Sequence, residues 1–236
     1  MIGLRNVVIC VIAPLALAAT GCQVTTKTPY HYKLTVDIET PQGVKSGYSI
    51  IAVNTFSPLK GTEALGGSGP TARGEAVAVD LPNGQTLFAL LRSENDFDWA
   101  GSAHIRANPK KSDSFATLDE YLGAVRADRD TYRIKRWVGF PREDQDNYPL
   151  LVTFKDIRNP ASVVRVNPDD LSARFGPGYR LKAITVQGTD DRVTTGIEKR
   201  LEWLPSVYRM LKGRDFKPDG IPVGDFQGLF STEISG

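Results

Sequence analysis

Tyr30-His31-Tyr32-Lys33-Leu34-Thr35-Val36-Asp37-Ile38-Glu39 alternates without a fault. Tyr30, Tyr32, Leu34, Val36 and Ile38 fall on one side, and His31, Lys33, Thr35, Asp37 and Glu39 on the other. A period of two is that of a β-strand with one face buried and one wet. Working outward, Pro41-Gln42-Gly43 supplies turn chemistry and 49–56 returns as a second apolar run, so the pair reads as a hairpin. A second hairpin is predicted where 75–81 and 85–92 flank Pro82-Asn83-Gly84, because Asn-Gly between apolar runs suits the turns that match strand twist. A third joins 148–157 to 162–166 through Arg158-Asn159-Pro160, and 179–189 and 131–138 read as further strands.

Helix signals are short and scattered among these hairpins. Thr117-Leu118-Asp119-Glu120 is a capping box, with Phe115, Leu118, Leu122 and Val125 on one face of a helix ending near Ala127. Asn167-Pro168-Asp169-Asp170 opens a short helix that Gly176-Pro177-Gly178 stops. Thr195-Gly196-Ile197-Glu198 is a second capping box, with Ile197, Leu201 and Leu204 on one face and Pro205 as terminator. The glycine-rich run around Gly66-Gly67-Ser68-Gly69-Pro70 reads as a loop, 93–111 shows no period, and the tail from Gly213 reads as irregular. The expected fold class is α+β, mainly antiparallel β hairpins with a few short amphipathic helices. It is expected to form one globular domain over 30–236, with a composition shift across 93–113 that permits a split.

Ahead of the domain, Arg5 precedes an apolar run at 7–19 that closes on Leu17-Ala18-Ala19-Thr20-Gly21-Cys22. The run is shorter than the roughly 20 residues a membrane span needs, and it contains Pro14, so it reads as a signal peptide. It resembles the lipobox of bacterial lipoprotein precursors, with Ala19 where that family most often has Leu. The resemblance implies that 1–21 are removed and that Cys22 carries three acyl chains, palmitate among them. Residues 22–29 would then form a lipidated tether. Gln23, where Asp would signal retention in the inner membrane, implies the outer membrane and its periplasmic face. The rival cleavage follows Ala18, where Ala16-Leu17-Ala18 is an A-x-A site, and would release a soluble secreted protein. The rest of the chain, chiefly 148–204, resembles uncharacterised proteobacterial lipoproteins of unknown function. Thr194-Thr195-Gly196-Ile197-Glu198-Lys199-Arg200-Leu201 is its most distinctive run. That resemblance implies no activity.

Cys10 lies inside the leader, so Cys22 is the one cysteine of the mature chain, which therefore has no internal disulfide, no cysteine nucleophile and no thiolate zinc site. Lys and Arg number 29 against 27 Asp and Glu. Removing the leader takes away Arg5 alone and leaves a nearly neutral protein, which argues against a nucleic-acid partner.

Candidate chemistry is sparse. No G-x-S-x-G elbow is present, and Gly66-Gly67-Ser68-Gly69-Pro70 is followed by no Lys-Ser/Thr pair that would make it a phosphate cradle. Of the two histidines, His31 falls on the polar face of the first strand. His104 stands near Asp96, Asp98 and Ser102, residue types that could compose a hydrolytic triad. Asn95-Asp96-Phe97-Asp98 and Glu143-Asp144-Gln145-Asp146-Asn147 offer oxygen ligands but fit no calcium loop, so no metal and no cofactor is expected. Basic and aromatic residues interleave over 126–142, where Arg126, Arg129, Arg133, Lys135, Arg136 and Arg142 accompany Tyr132, Trp137 and Phe140. Arg133, Lys135, Arg136 and Trp137 are the candidate surface for an acidic lipid or glycan. The same charges also suit an edge strand guarded against pairing, and Asp128, Asp130, Glu143 and Asp144 dilute them. The expectation is an outer-membrane lipoprotein acting as a binding or scaffolding module, its partner being an envelope protein or the membrane itself. The rival is a periplasmic hydrolase using Asp96, Asp98 and His104.

Overall fold

The computed structural model describes residues 25–26, 29–57, 69–110, 112–137, 146–213, 216, 218, 220–222 and 224–234. The leader, Cys22 and the centre of the glycine-rich loop lie outside them.

The alternating stretch is strand β2 (Tyr30–Thr40), preceded by the two-residue β1 (Thr25–Thr26) and followed by the long β3 (Gly43–Ser57). Pairing of Thr40 with Gly43 closes the turn at Pro41-Gln42, and Gly43 takes the left-handed φ of 97° that a side chain would resist. Next come β4 (Gly69–Arg73), then the predicted second hairpin as β5 (Val77–Asp80) and β6 (Thr86–Ser93), turning at Gly84 with φ 81°. Helix α1 (Trp99–Ala107) lies in the stretch that shows no period. Its inner side consists of Trp99, Ala100, Gly101, Ala103 and His104, one large aromatic followed by small residues and a histidine, which leave no hydrophobic rhythm to read. Helix α2 (Leu118–Ala127) begins where the capping box predicts, Thr117 Oγ1 accepting from the Glu120 amide at 3.2 Å.

Strand β7 is only Thr131–Arg133, shorter than expected. Strands β8 (Pro149–Phe154) and β9 (Val163–Arg165) form the third hairpin around a 3₁₀ turn that Asn159 caps. Helix α3 (Ser172–Phe175) starts later than its signal, with Asp170 accepting from the Ala173 amide at 3.0 Å, and β10 (Arg180–Thr189) follows. The second capping box does not open an α-helix. Residues Ile197–Lys199 make a 3₁₀ turn, and Pro205 sits inside another 3₁₀ turn that leads into α4 (Val207–Leu211) instead of ending a helix.

All pairings are antiparallel and form two sheets, so the domain is α+β and built mainly of antiparallel hairpins. One sheet runs β1-β3-β2-β10-β7 with β4 also on β3, and the other runs β5-β6-β8-β9. The predicted inner face of β2 packs with Ile51, Val53, Ile184 and Val186 against Val77, Val79, Leu87 and Leu151 of the second sheet, and α1 closes one end of this core. Gly47 of β3 lies where the sheets touch, and a Cβ there would overlap the Ala78 carbonyl oxygen.

The second sheet is buried on both faces, which is why all six residues of β8 are buried. Its far side carries Phe88, Leu90, Val152 and Phe154 against Ile197, Leu201, Trp203, Leu204, Phe226 and Phe230. Turns and irregular backbone make up the tail, yet it is part of the core. The Ala76 amide donates to the Phe230 carbonyl at 2.8 Å, and the Leu91 amide to that of Leu229 at 3.0 Å.

Candidate functional site

The residues proposed for hydrolysis divide between two sides of α1. Successive helical residues turn by about 100°, so Ser102 and His104 point about 200° apart. Outside, Asp96 Oδ2 accepts from Ser102 Oγ at 3.3 Å and from Arg106 Nη2 at 2.5 Å, while its Oδ1 accepts from the Asp98 amide at 2.9 Å. Inside, His104 is fully buried against the rings of Tyr30 and Tyr32. Neither of its ring nitrogens has a hydrogen-bond partner among the described residues. Burial pulls its pKa down to about 4, against the attraction of Asp128. A base that reaches neither the serine nor a carboxylate activates nothing, so Asp96, Asp98, Ser102 and His104 do not assemble a triad.

Below His104, a buried polar cluster organises this end of the domain. Asp128 follows the last turn of α2, and its carboxylate accepts from Asn108 Nδ2 at 3.1 Å, Tyr132 OH at 2.7 Å, the Asp130 amide at 2.9 Å and Lys110 Nζ. Burial alone would raise its pKa, but Lys110 and the other donors together hold the carboxyl well below the usual range. Tyr132 is pushed up to about 12, chiefly by its hydrogen bond to that carboxylate. Gly188 of β10 makes room for the cluster, since a Cβ there would overlap the Asp128 carbonyl oxygen. No sequence pattern flagged Asn108, Lys110 and Asp128, because the fold gathers them from two connections, one after α1 and one after α2.

The basic residues are dispersed. Arg136 pairs with Asp146 at 3.0 Å and with Asp169, and lies over the Trp137 ring with its carbon 4.8 Å from the centroid. It fastens two connections together and is not a free charge. Arg129 pairs with Asp190 at 2.8 Å, and Arg133 donates to the Lys182 carbonyl at 2.5 Å. Lys135 and Trp137 are exposed. Phe140, Arg142, Glu143 and Asp144 lie outside the described residues. Among the described residues, no group of three or more His, Cys, Asp and Glu side chains is placed to hold a metal ion.

The distinctive run at 194–201 has a structural role. Thr194 joins the edge of β3, its amide donating to the Ile50 carbonyl and its Oγ1 accepting from the Ile50 amide. The Glu75 carboxylate, from 121 and 122 residues away, accepts one hydrogen bond each from the Gly196 and Ile197 amides, both at 3.0 Å. Glu75 thus does the capping work that the local sequence assigns to Thr195.

A cleft of about 290 Å³ opens at the end of the first sheet, lined by Pro29, Tyr30, His31, Arg126, Thr189 and Asp190. Tyr30 is more than nine-tenths buried, and its hydroxyl has no hydrogen-bond partner among the described residues. The alternation of β2 marks Tyr30 as a core residue; nothing in the sequence marks it as part of a cleft wall.

Compared with models of known families, with curated proteins and with solved structures, the chain matches none.

Proposed function

We propose that the chain is a lipoprotein anchored through Cys22 to the outer membrane, its domain acting as a binding or scaffolding module against the periplasmic face. The observation that carries this reading is the pairing of Thr25 with Ser57 and of Thr26 with Phe56. It begins three positions after the lipobox cysteine. Three residues span at most about 11 Å, so an acyl chain on Cys22 would hold the sheet end itself against the bilayer instead of leaving it on a free tether. Pro29 and Tyr30 come only a few positions later in the sequence, which brings the cleft to the same end. The separation of Ser102 from His104 across α1 speaks against the hydrolase.

Replacement of Cys22 tests the anchor. The wild type is expected to incorporate labelled palmitate and sediment with membranes, and Cys22→Ser is expected to lose the label and move to the soluble or uncut precursor pool. Unlabelled wild type with unchanged fractionation of the variant overturns the proposal. Crosslinking of the acylated protein in intact envelopes, followed by its recovery, is expected to bring down an envelope partner that Cys22→Ser does not.

A further inference from the structure

We infer that the open edge of β3, from Gly43 to Ser49, pairs with the same edge of a second copy of this chain, antiparallel and centred on Ser46. One edge of β3 pairs with β2 from Gly43 to Val53. The other is taken by β4 from Ala52 to Phe56 and by Thr194 at Ile50, and over 43–49 no strand among the described residues lies against it. Thr194 shows which backbone groups face that way. It donates its amide to the Ile50 carbonyl at 3.1 Å, and its Oγ1 accepts from the Ile50 amide at 2.8 Å. Backbone groups alternate in direction along a strand, so the N–H and C=O of Tyr48, Ser46 and Val44 point to the same side as those of Ile50. No hydrogen bond from another described residue reaches these six groups. A row of this kind is a template for one more strand, and Thr194 already uses its first step.

The edge is complementary to itself. It is bounded by the turn at Pro41-Gln42 and by Thr194, and Ser46 is its middle residue. Centred there, Ser46 faces its own copy, Val44 of each copy faces Tyr48 of the other, and Lys45 faces Gly47. Val44 and Tyr48 are 46% and 58% exposed, and a β-branched residue opposite an aromatic is a favourable cross-strand pair. The one charge of the stretch, Lys45, thus meets no like charge directly; its own copy lies on the diagonal, about 7 to 8 Å away. Neighbouring registers fail. Sliding one way sets Lys45 opposite itself, and sliding the other way brings Val44 to Ile50, whose backbone Thr194 already holds. The contact is isologous, with its twofold axis normal to the sheet, so the Thr25 ends of both copies can reach one bilayer with the sheet lying along it.

The test uses the full chain carrying Cys10→Ser and Cys22→Ser, which leaves an introduced cysteine as the only thiol. Sedimentation equilibrium is expected to show monomer and dimer exchanging in the micromolar range, as an interface below the standard size gives. Ser46→Pro removes an N–H that bonds nothing within one copy, and it is expected to weaken the dimer about tenfold with the far-UV spectrum unchanged. Val44→Glu with Tyr48→Glu sets like charges opposite each other and is expected to leave a monomer. Val44→Lys with Tyr48→Glu sets opposite charges there and is expected to restore the dimer, now weakened by salt. Oxidised Ser46→Cys is expected to form a disulfide-linked dimer, because opposed residues of a hydrogen-bonded pair have Cα atoms about 5.5 Å apart; Thr35→Cys, on β2, is expected to stay reduced. A chain that is monomeric at every concentration and yields no Ser46→Cys disulfide overturns the proposal. So does an oligomer that survives both Ser46→Pro and the paired glutamates, since its contact then lies elsewhere, residues 1–21 included.

Discussion

The imidazole of His104 lies flat on the phenol ring of Tyr32, with centroids 5.5 Å apart and planes 8° from parallel, while Tyr32 donates its hydroxyl to the Ala100 carbonyl at 2.6 Å. A histidine so enclosed must stay neutral for the fold to hold, and its pKa of about 4 against an ordinary 6.5 expresses that demand. The native state therefore binds this proton less readily than the unfolded chain. His104 contributes its full stability above pH 6.5 and loses it as pH falls toward 4, a difference on the order of 3 kcal/mol. In His104→Phe this slope is expected to disappear. Chemical denaturation of both chains at pH 7 and pH 4 checks it, and equal slopes would refute it. The depressed titration of Asp128 removes stability only below the normal carboxylate range, so it does not overlap this window.

The two faces of β2 should answer oppositely to truncation. Val36 is fully buried between the sheets, and Val36→Ala is expected to cost on the order of 1 to 3 kcal/mol. Thr35, on the outer face beside Tyr48 and Thr185, is expected to tolerate alanine to within about half a kcal/mol. Thermal melts of the two variants decide the matter, and similar losses would contradict a one-sided strand.

Three glycines sort by what surrounds them. Gly47→Ala and Gly188→Ala drive a methyl group into the carbonyls of Ala78 and Asp128, and each is expected to cost about 2 kcal/mol or more. Gly123, inside α2 and open to solvent, has no atom within 4 Å of a Cβ. Gly123→Ala is expected to raise stability by roughly 0.5 to 1 kcal/mol through helix propensity. Denaturant midpoints of the three variants should show the opposite signs.

Glu75→Gln should loosen the run from Gly196 onward. Both carboxylate oxygens are occupied by amides, and a glutamine turns an amide nitrogen toward one of those donors, a loss expected to cost about 1 to 3 kcal/mol. Hydrogen exchange at the Gly196 and Ile197 amides is expected to accelerate in the variant. Unchanged protection at both would show that the cap is dispensable.

Local rules carry far in this chain. The alternation at 30–39, the Asn83-Gly84 turn and the Thr117 capping box each name their element because neighbours in sequence decide them. What they miss is set by distant partners. Helix α1 hides because its buried side is Ala, Gly, Trp and His, and close packing selects those residues: a Cβ on Gly101 would stand 2.7 Å from the Pro70 carbonyl oxygen. The 194–201 run carries a good local helix signal, yet Glu75 and the edge of β3 draw it into 3₁₀ geometry. The candidate site follows the same division, since Tyr30 and Arg126 are 96 positions apart and nothing local links them.

The tail imposes an order on maturation. Glu75 forms a bridge with Ser231, Gly74 hydrogen-bonds Thr232, and Phe226 and Phe230 complete the outer cover of the second sheet. In a chain made amino end first, Phe88, Leu90 and Phe154 therefore wait for Phe226 and Phe230 before their outer side is covered. The outer side of the second sheet is thus among the last parts of this domain to close, and its apolar residues stay exposed to wrong partners until then.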